Sequence, residues 1–176
     1  NNYTYQDIYR AVVNVAMRLQ TLADTRIAIV SDNSVTMAVY LLAAMLVRKE
    51  VLLLNVHLTA REIEKQLCEL HITTVLHSAK RRTQVPASVI AIEFEFVEAM
   101  LHDIAEDTFD WTFAEHDIAA IMNTSATTGQ FKSVPLRWGQ IKAHVQASQE
   151  VLGRSEQDNW LMVLPLFHVS GLSILM

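Results

Sequence analysis

A single cysteine, Cys68, is all the chain has, so no internal disulfide can form. That excludes a disulfide-stapled secreted scaffold and suits a reducing, cytoplasmic compartment. At the centre of a helical pattern, Cys68 reads as a small core residue. Basic charge is also short: 14 Lys and Arg stand against 19 Asp and Glu, a formal net charge of −5. A nucleic-acid binder would show a basic face, and the one cluster, Lys80-Arg81-Arg82, reads as a solvated loop. The longest apolar run, VTMAVYLLAAMLV, stops at 13 residues, whereas a membrane span needs about 20. It reads as a buried helix. Glycine is scarce, four in 176 residues, and no Gly/Ser-rich linker, repeat or low-complexity segment interrupts the chain, so residues 1–176 read as one domain. His57, His71, His77, His102, His116 and His144 show no metal-ligand spacing and read as structural or exposed; no metal site is expected. The opening lacks the basic start and apolar run of a signal peptide, and there is no initiator Met. The last residues form an apolar run with no helix-stop signal, so the chain is expected to be a piece of a longer protein.

What is present is apolar patterning. Hydrophobic residues make up 51 %, enough to bury a sizeable core. Thr4 is a helix cap followed by Ile8, Val12, Val15, Leu19 and Leu22 at helical spacing. RIAIV (26–30), VLLLNV (51–56) and ITTVLH (72–77) read as buried strands. Between them lie the 35–47 helix and a helix opened by the capping box Thr59-x-x-Glu62, its apolar stripe being Ile63, Leu67 and Leu70. Met37 and Met45 read as core filler. Alternating strands and helices predict an α/β fold with a mostly parallel sheet covered by helices. Beyond residue 79 the pattern predicts a strand at SVIAIEF, a short helix at EAMLHDIAE, a polar surface excursion, and a strand at 118–123. The 132–136 segment should be extended, because Pro135 disfavours helix before it, and should pair with 118–123. A helix over about 139–152 should stop at Gly153, and WLMVLPLF (160–167) reads as a strand. A sheet cut short should leave an apolar face bare, through which the chain could form a homodimer.

The loop NTSATTGQFK packs hydroxyl groups beside one glycine and one lysine between two strands. Thr124, Ser125, Thr127 and Thr128 offer hydroxyl donors as well as backbone N–H groups. Gly129 lets N–H groups turn inward around an anion, and Lys132 adds a mobile positive charge. Phosphate binding and a plain hairpin turn both fit these residues. GxxxxGK[ST] is absent, so this is not a Walker A loop.

TSATTGQFK resembles the phosphate-binding signature T-S-G-T-T-G-x-P-K of the adenylate-forming superfamily, which includes acyl- and aryl-CoA ligases and amino-acid adenylation domains. Thr124, Ser125, Thr127, Thr128, Gly129 and Lys132 match; Ala126 stands at a Gly position and Phe131 at a Pro position. Downstream, LPLFHVSG looks like the family's aromatic–His motif at the acyl pocket. The resemblance implies a large N-terminal AMP-binding domain, of which residues 1–176 are the first part, with the small C-terminal lid domain absent. It implies ATP with Mg2+ and coenzyme A as co-substrates, and a small-molecule carboxylate as the activated partner. The carboxylate attacks the α-phosphate, pyrophosphate leaves, and the CoA thiol then displaces AMP to give a thioester. The resemblance places residues 124–129, Ala126 included, and Lys132 at the phosphates. It places Phe167, His168, Ser170 and Gly171 at the acyl substrate, with His168 against the reacting carboxylate. An aryl-CoA ligase is the branch it points to; another acyl-CoA ligase, an amino-acid adenylation domain and a non-catalytic nucleotide-binding domain remain as alternatives. The 176 residues alone are expected not to catalyse.

Overall fold

A computed structural model describes residues 2–101, 109–124, 131–153, 155 and 157–176. Six strands form one sheet: β1 (Arg26–Val30), β2 (Glu50–Leu53), β3 (Thr74–His77), β4 (Ile90–Glu93), β5 (Ile118–Thr124) and β6 (Lys132–Arg137). Their order is β4-β3-β1-β2-β5-β6. Every pairing is parallel except β5–β6, where Asn123 faces Ser133 and Thr124 faces Lys132. The predicted α/β fold and the pairing across the hydroxyl-rich loop are therefore both present. β1, β2 and β3 are buried almost end to end, which is why they read as continuous apolar runs rather than alternating ones.

Helices α1 (Tyr5–Leu19), α2 (Val35–Leu46) and α3 (Ala60–Glu69) follow the early pattern closely. Capping boxes start two of them: Thr4 with Asp7, and Thr59 with Glu62, each hydroxyl taking an N–H while the carboxylate reaches back to the cap N–H. Ser34 caps α2 through the N–H of Met37. Met37 and Met45 are buried as core filler. β2 ends three residues early because Asn55 Oδ1 accepts from the His57 N–H (2.9 Å), turning the chain out of the sheet. α4 (Trp138–Leu152) ends at Gly153, whose φ of 78° lies in the left-handed region that favours glycine.

Four readings need correction. Cys68 is exposed, not in the core. It lies one residue, about 100° of helix turn, from Leu67, and the inner stripe is Ile63, Gln66 and Leu67. Arg81 is not solvated loop: a 3₁₀ turn over Ala79–Gln84 brings it to Asp32, to which it donates through Nε (3.1 Å) and Nη2. WLMVLPLF forms no strand. Pro165 has no N–H, Val163 N–H turns back to Leu161 O (3.0 Å), and the Leu164 carbonyl and Leu166 N–H both go to the Asn33 amide. The chain instead enters an unpredicted helix, α5 (Val169–Leu175). Where EAMLHDIAE was expected to be helical there is a 3₁₀ turn over Val97–Met100; residues 102–108, with His102, lie outside the described residues. The acidic excursion is tied down, with Phe113 stacked on Trp138 at 4.3 Å.

Candidate functional site

In an open α/β sheet, ligands bind beyond the carboxyl ends of parallel strands where successive connections leave in opposite directions. β2 and β5 are such neighbours here. β2 connects leftward to β3, beyond β1, and β5 turns rightward into the edge strand β6. A pocket of about 340 Å³ opens at that place, lined by Leu53 at the end of β2 and Asn55 just after it, Met122, Asn123 and Thr124 at the end of β5, Phe131, Gln66 of α3, and Phe167, His168 and Val169. Its size falls within the usual range for small-molecule sites.

Each wall has a local cause. Thr124 is the last residue of β5; its hydroxyl donates to Lys132 O (3.3 Å), closing the base of the hairpin. Lys132 begins β6 with an exposed side chain that forms no ion pair among the described residues. Phe167 is buried and His168 exposed, the latter as the N-cap of α5. His168 N–H donates to Pro165 O (3.0 Å) and its carbonyl accepts from Leu172 N–H (3.0 Å). The two rings lie 4.7 Å apart. His57 approaches the other edge of Phe167, ring centres 6.5 Å apart and nearly perpendicular.

Two residues fix where His168 sits. The Asn33 amide clamps both sides of Pro165, Nδ2 donating to Leu164 O (2.7 Å) and Oδ1 accepting from Leu166 N–H (3.0 Å). Gly171 lets the first turn of α5 lie on that same backbone: a Cβ there would stand 2.1 Å from Pro165 O. Gly171 is thus buried backbone packing beneath the pocket. Ser170 faces elsewhere, lining a separate cavity of about 460 Å³ between α4 and α5. That cavity is bounded by Leu152, Trp160, Leu164, Ile174 and Met176, with Asp158 as a carboxylate among its described lining residues.

The structure therefore gathers Thr124, Phe167 and His168 around one pocket, with Lys132 opposite Thr124 on the hairpin. Ser125, Ala126, Thr127, Thr128 and Gly129 lie outside the described residues. An exposed hydroxyl, an imidazole and an ammonium with no ion pair among the described residues, all near one pocket, fit a phosphate-bearing ligand. Asn33, Asn55, His57 and Gln66 were not legible as site residues. Only Gln66, a polar residue in an apolar stripe, carried a signal.

This fold and site define a class, and the chain belongs to it: it is a member of the AMP-binding enzyme family, whose model matches residues 1–176. Among curated proteins it is similar to 2-succinylbenzoate–CoA ligase of Lactococcus lactis subsp. lactis (strain IL1403), 46 % identical over 178 residues, covering 100 % of this chain and 38 % of that protein. The same ligase of Staphylococcus aureus (strain MSSA476) is 30 % identical over 199 residues, covering 99 % of this chain and 40 % of the relative. This chain thus spans about two fifths of the length of these relatives. Among solved structures, o-succinylbenzoate coenzyme A synthetase of Bacillus subtilis in complex with ATP and magnesium ion matches with TM-score 0.83 and 27 % identity, over 99 % of this chain and 48 % of that one. The same enzyme with the acyl-adenylate intermediate OSB-AMP gives TM-score 0.81 and 29 % identity, over 96 % and 45 %.

Proposed function

We propose that residues 1–176 are the first part of the large AMP-binding domain of an AMP-forming acid–thiol ligase. It activates o-succinylbenzoate with Mg·ATP and transfers the acyl group to coenzyme A in bacterial menaquinone biosynthesis. One observation carries this: the end of the hydroxyl-rich loop and the Phe167–His168 pair meet at a single pocket beyond the β2 and β5 ends. The similarity to two 2-succinylbenzoate–CoA ligases over the whole chain supports the substrate. In this reading the loop from Thr124 to Lys132 holds the β- and γ-phosphates and steadies the departing pyrophosphate. Positioning and charge stabilisation dominate such a step, because the attacking carboxylate needs no activation beyond alignment. Lys132 supplies the positive charge, with Mg2+ arriving on the nucleotide. Phe167 supplies an apolar wall for the aryl ring, and His168, held by Asn33 and Gly171, contacts the carboxylate. The CoA site and the C-terminal lid domain belong to the part of the protein after residue 176. A cytoplasmic location fits the single cysteine, and no helix among the described residues is long and apolar enough to cross a membrane.

The test uses the whole protein containing this chain. It should catalyse ATP–pyrophosphate exchange only when o-succinylbenzoate is present, and form the thioester when CoA is added. Lys132→Ala should weaken ATP binding by about ten-fold or more, the worth of one charge-assisted contact. Exchange stimulated by other carboxylates but not by o-succinylbenzoate would overturn the substrate.

A further inference from the structure

His57 is exposed, yet the turn that carries it is tied down from two directions. Asn55 ties it locally: Oδ1 accepts from His57 N–H (2.9 Å), and the Asn55 carbonyl accepts from Leu58 N–H (3.1 Å). The 3₁₀ turn Ala79–Gln84 ties it from another part of the chain. Gln84 Nε2 donates to Val56 O (2.9 Å) and Leu58 O (2.7 Å), and Arg81, itself anchored on Asp32, donates to Val56 O (3.3 Å). None of these bonds uses the imidazole. Among the described residues the His57 ring makes no hydrogen bond or ion pair; it meets Phe167, with ring centres 6.5 Å apart and planes at 84°. A near-perpendicular pair at that separation is a favoured aromatic geometry, because the positive edge of one ring meets the negative face of the other. With the backbone fixed, only two side-chain torsions remain to be ordered, so the contact is cheap to hold. Phe167 is buried and lines the pocket beside His168.

We propose that His57 is a positioning residue for the acyl-substrate wall: its ring, presented by the tied 55–58 turn, holds Phe167 in the orientation against which the aryl ring of the substrate packs. His57 acts through Phe167 and touches neither the carboxylate nor the nucleotide. The inference rests on the function proposed above, in which Phe167 is the aryl wall. It also links the site to the Ala79–Gln84 turn, none of whose residues is among those that line the pocket.

The experiment compares wild type with His57→Ala, His57→Phe and His57→Gln in the whole protein, by o-succinylbenzoate-dependent ATP–pyrophosphate exchange and by melting curves. His57→Ala removes the ring. It should raise KM for o-succinylbenzoate about three- to ten-fold, with kcat and the KM for ATP held within about two-fold, the mark of lost binding shared by ground and transition states. His57→Phe restores a flat ring and should return KM close to the wild-type value. His57→Gln keeps a hydrogen-bonding group without the ring and should behave like the Ala variant. The reverse order, with Gln near wild type and Phe as impaired as Ala, would overturn the inference, because the imidazole would then serve through its polar atoms. Wild-type kinetics in the Ala variant would overturn it too, as would losses that fall on kcat or ATP or that track the melting temperature across all three variants. Wild type that shows no o-succinylbenzoate-dependent exchange would instead overturn the function on which the inference rests.

Discussion

Asn33 shows how much a single side chain can decide at this site. Its amide satisfies the Leu164 carbonyl and the Leu166 N–H, so the proline between them cannot swing, and the Phe167–His168 pair follows rigidly. Asn33 is not among the described residues that line the pocket, so in the proposed function it positions rather than touches. Asn33→Ala should lower kcat/KM of the whole protein by roughly ten- to a hundred-fold, the penalty of misaligned reacting groups. Asn33→Asp, which keeps the acceptor for Leu166, should recover part of the loss. Steady-state kinetics with melting curves checks this; equal losses in both variants, tracking their stability, would show a purely structural role. The same clamp explains why WLMVLPLF misled: its apolar alternation is that of a strand, but its polar backbone groups are spent on Asn33 and on local turns.

Among the elements, the 3₁₀ turn Ala79–Gln84 is an electrostatic brace. Arg81 reaches Asp32, Gln84 Oε1 and Val56 O, and Lys80 adds a second contact to Asp32 at 3.2 Å. The Arg81 guanidinium, with Lys80 behind it, holds the Asp32 carboxyl below its ordinary range. A depressed carboxylate stabilises the fold fully above the unfolded Asp value of about 3.9, and that stability disappears as pH falls through the lower folded value. Asp32 is 40 % exposed, so screening limits its worth to about 1 kcal/mol or less. Urea midpoints should therefore put Asp32→Asn below wild type at neutral pH, and the gap should close in acid below about pH 4. A gap constant with pH would mean that the charge on Asp32 is not what matters.

At the scale of the molecule, the bare apolar surface lies where the fold runs out of partners. The sequence leads one to expect it on a sheet face, but the inner strands are covered; exposed apolar residues gather on α4 and the 160–164 segment. Val151 is 83 % exposed, Leu161 77 % and Val163 66 %. Such a patch drives association when nothing covers it. The isolated 176 residues should therefore self-associate with rising concentration, and Leu161→Lys with Val163→Lys should suppress this. Sedimentation velocity decides it: a monomer at all concentrations would remove both the patch argument and the homodimer.

The sequence by itself determined the strand–helix alternation, the Thr4 cap, the Thr59–Glu62 capping box, the Gly153 stop and the β5–β6 pairing. Each of these is written within a few residues by periodicity, hydroxyl–carboxylate spacing or a proline. It also marked Thr124, Lys132, Phe167 and His168, through motifs contiguous in the chain. Only the tertiary structure decided which of them meet. Strand order brings the β2 and β5 ends together, while Asn33 and Leu166 are 133 positions apart, and Gln66 and Asn123 are 57 apart. No local pattern records contacts of that range, because they are fixed by how the sheet is ordered and by which buried polar groups must find one another.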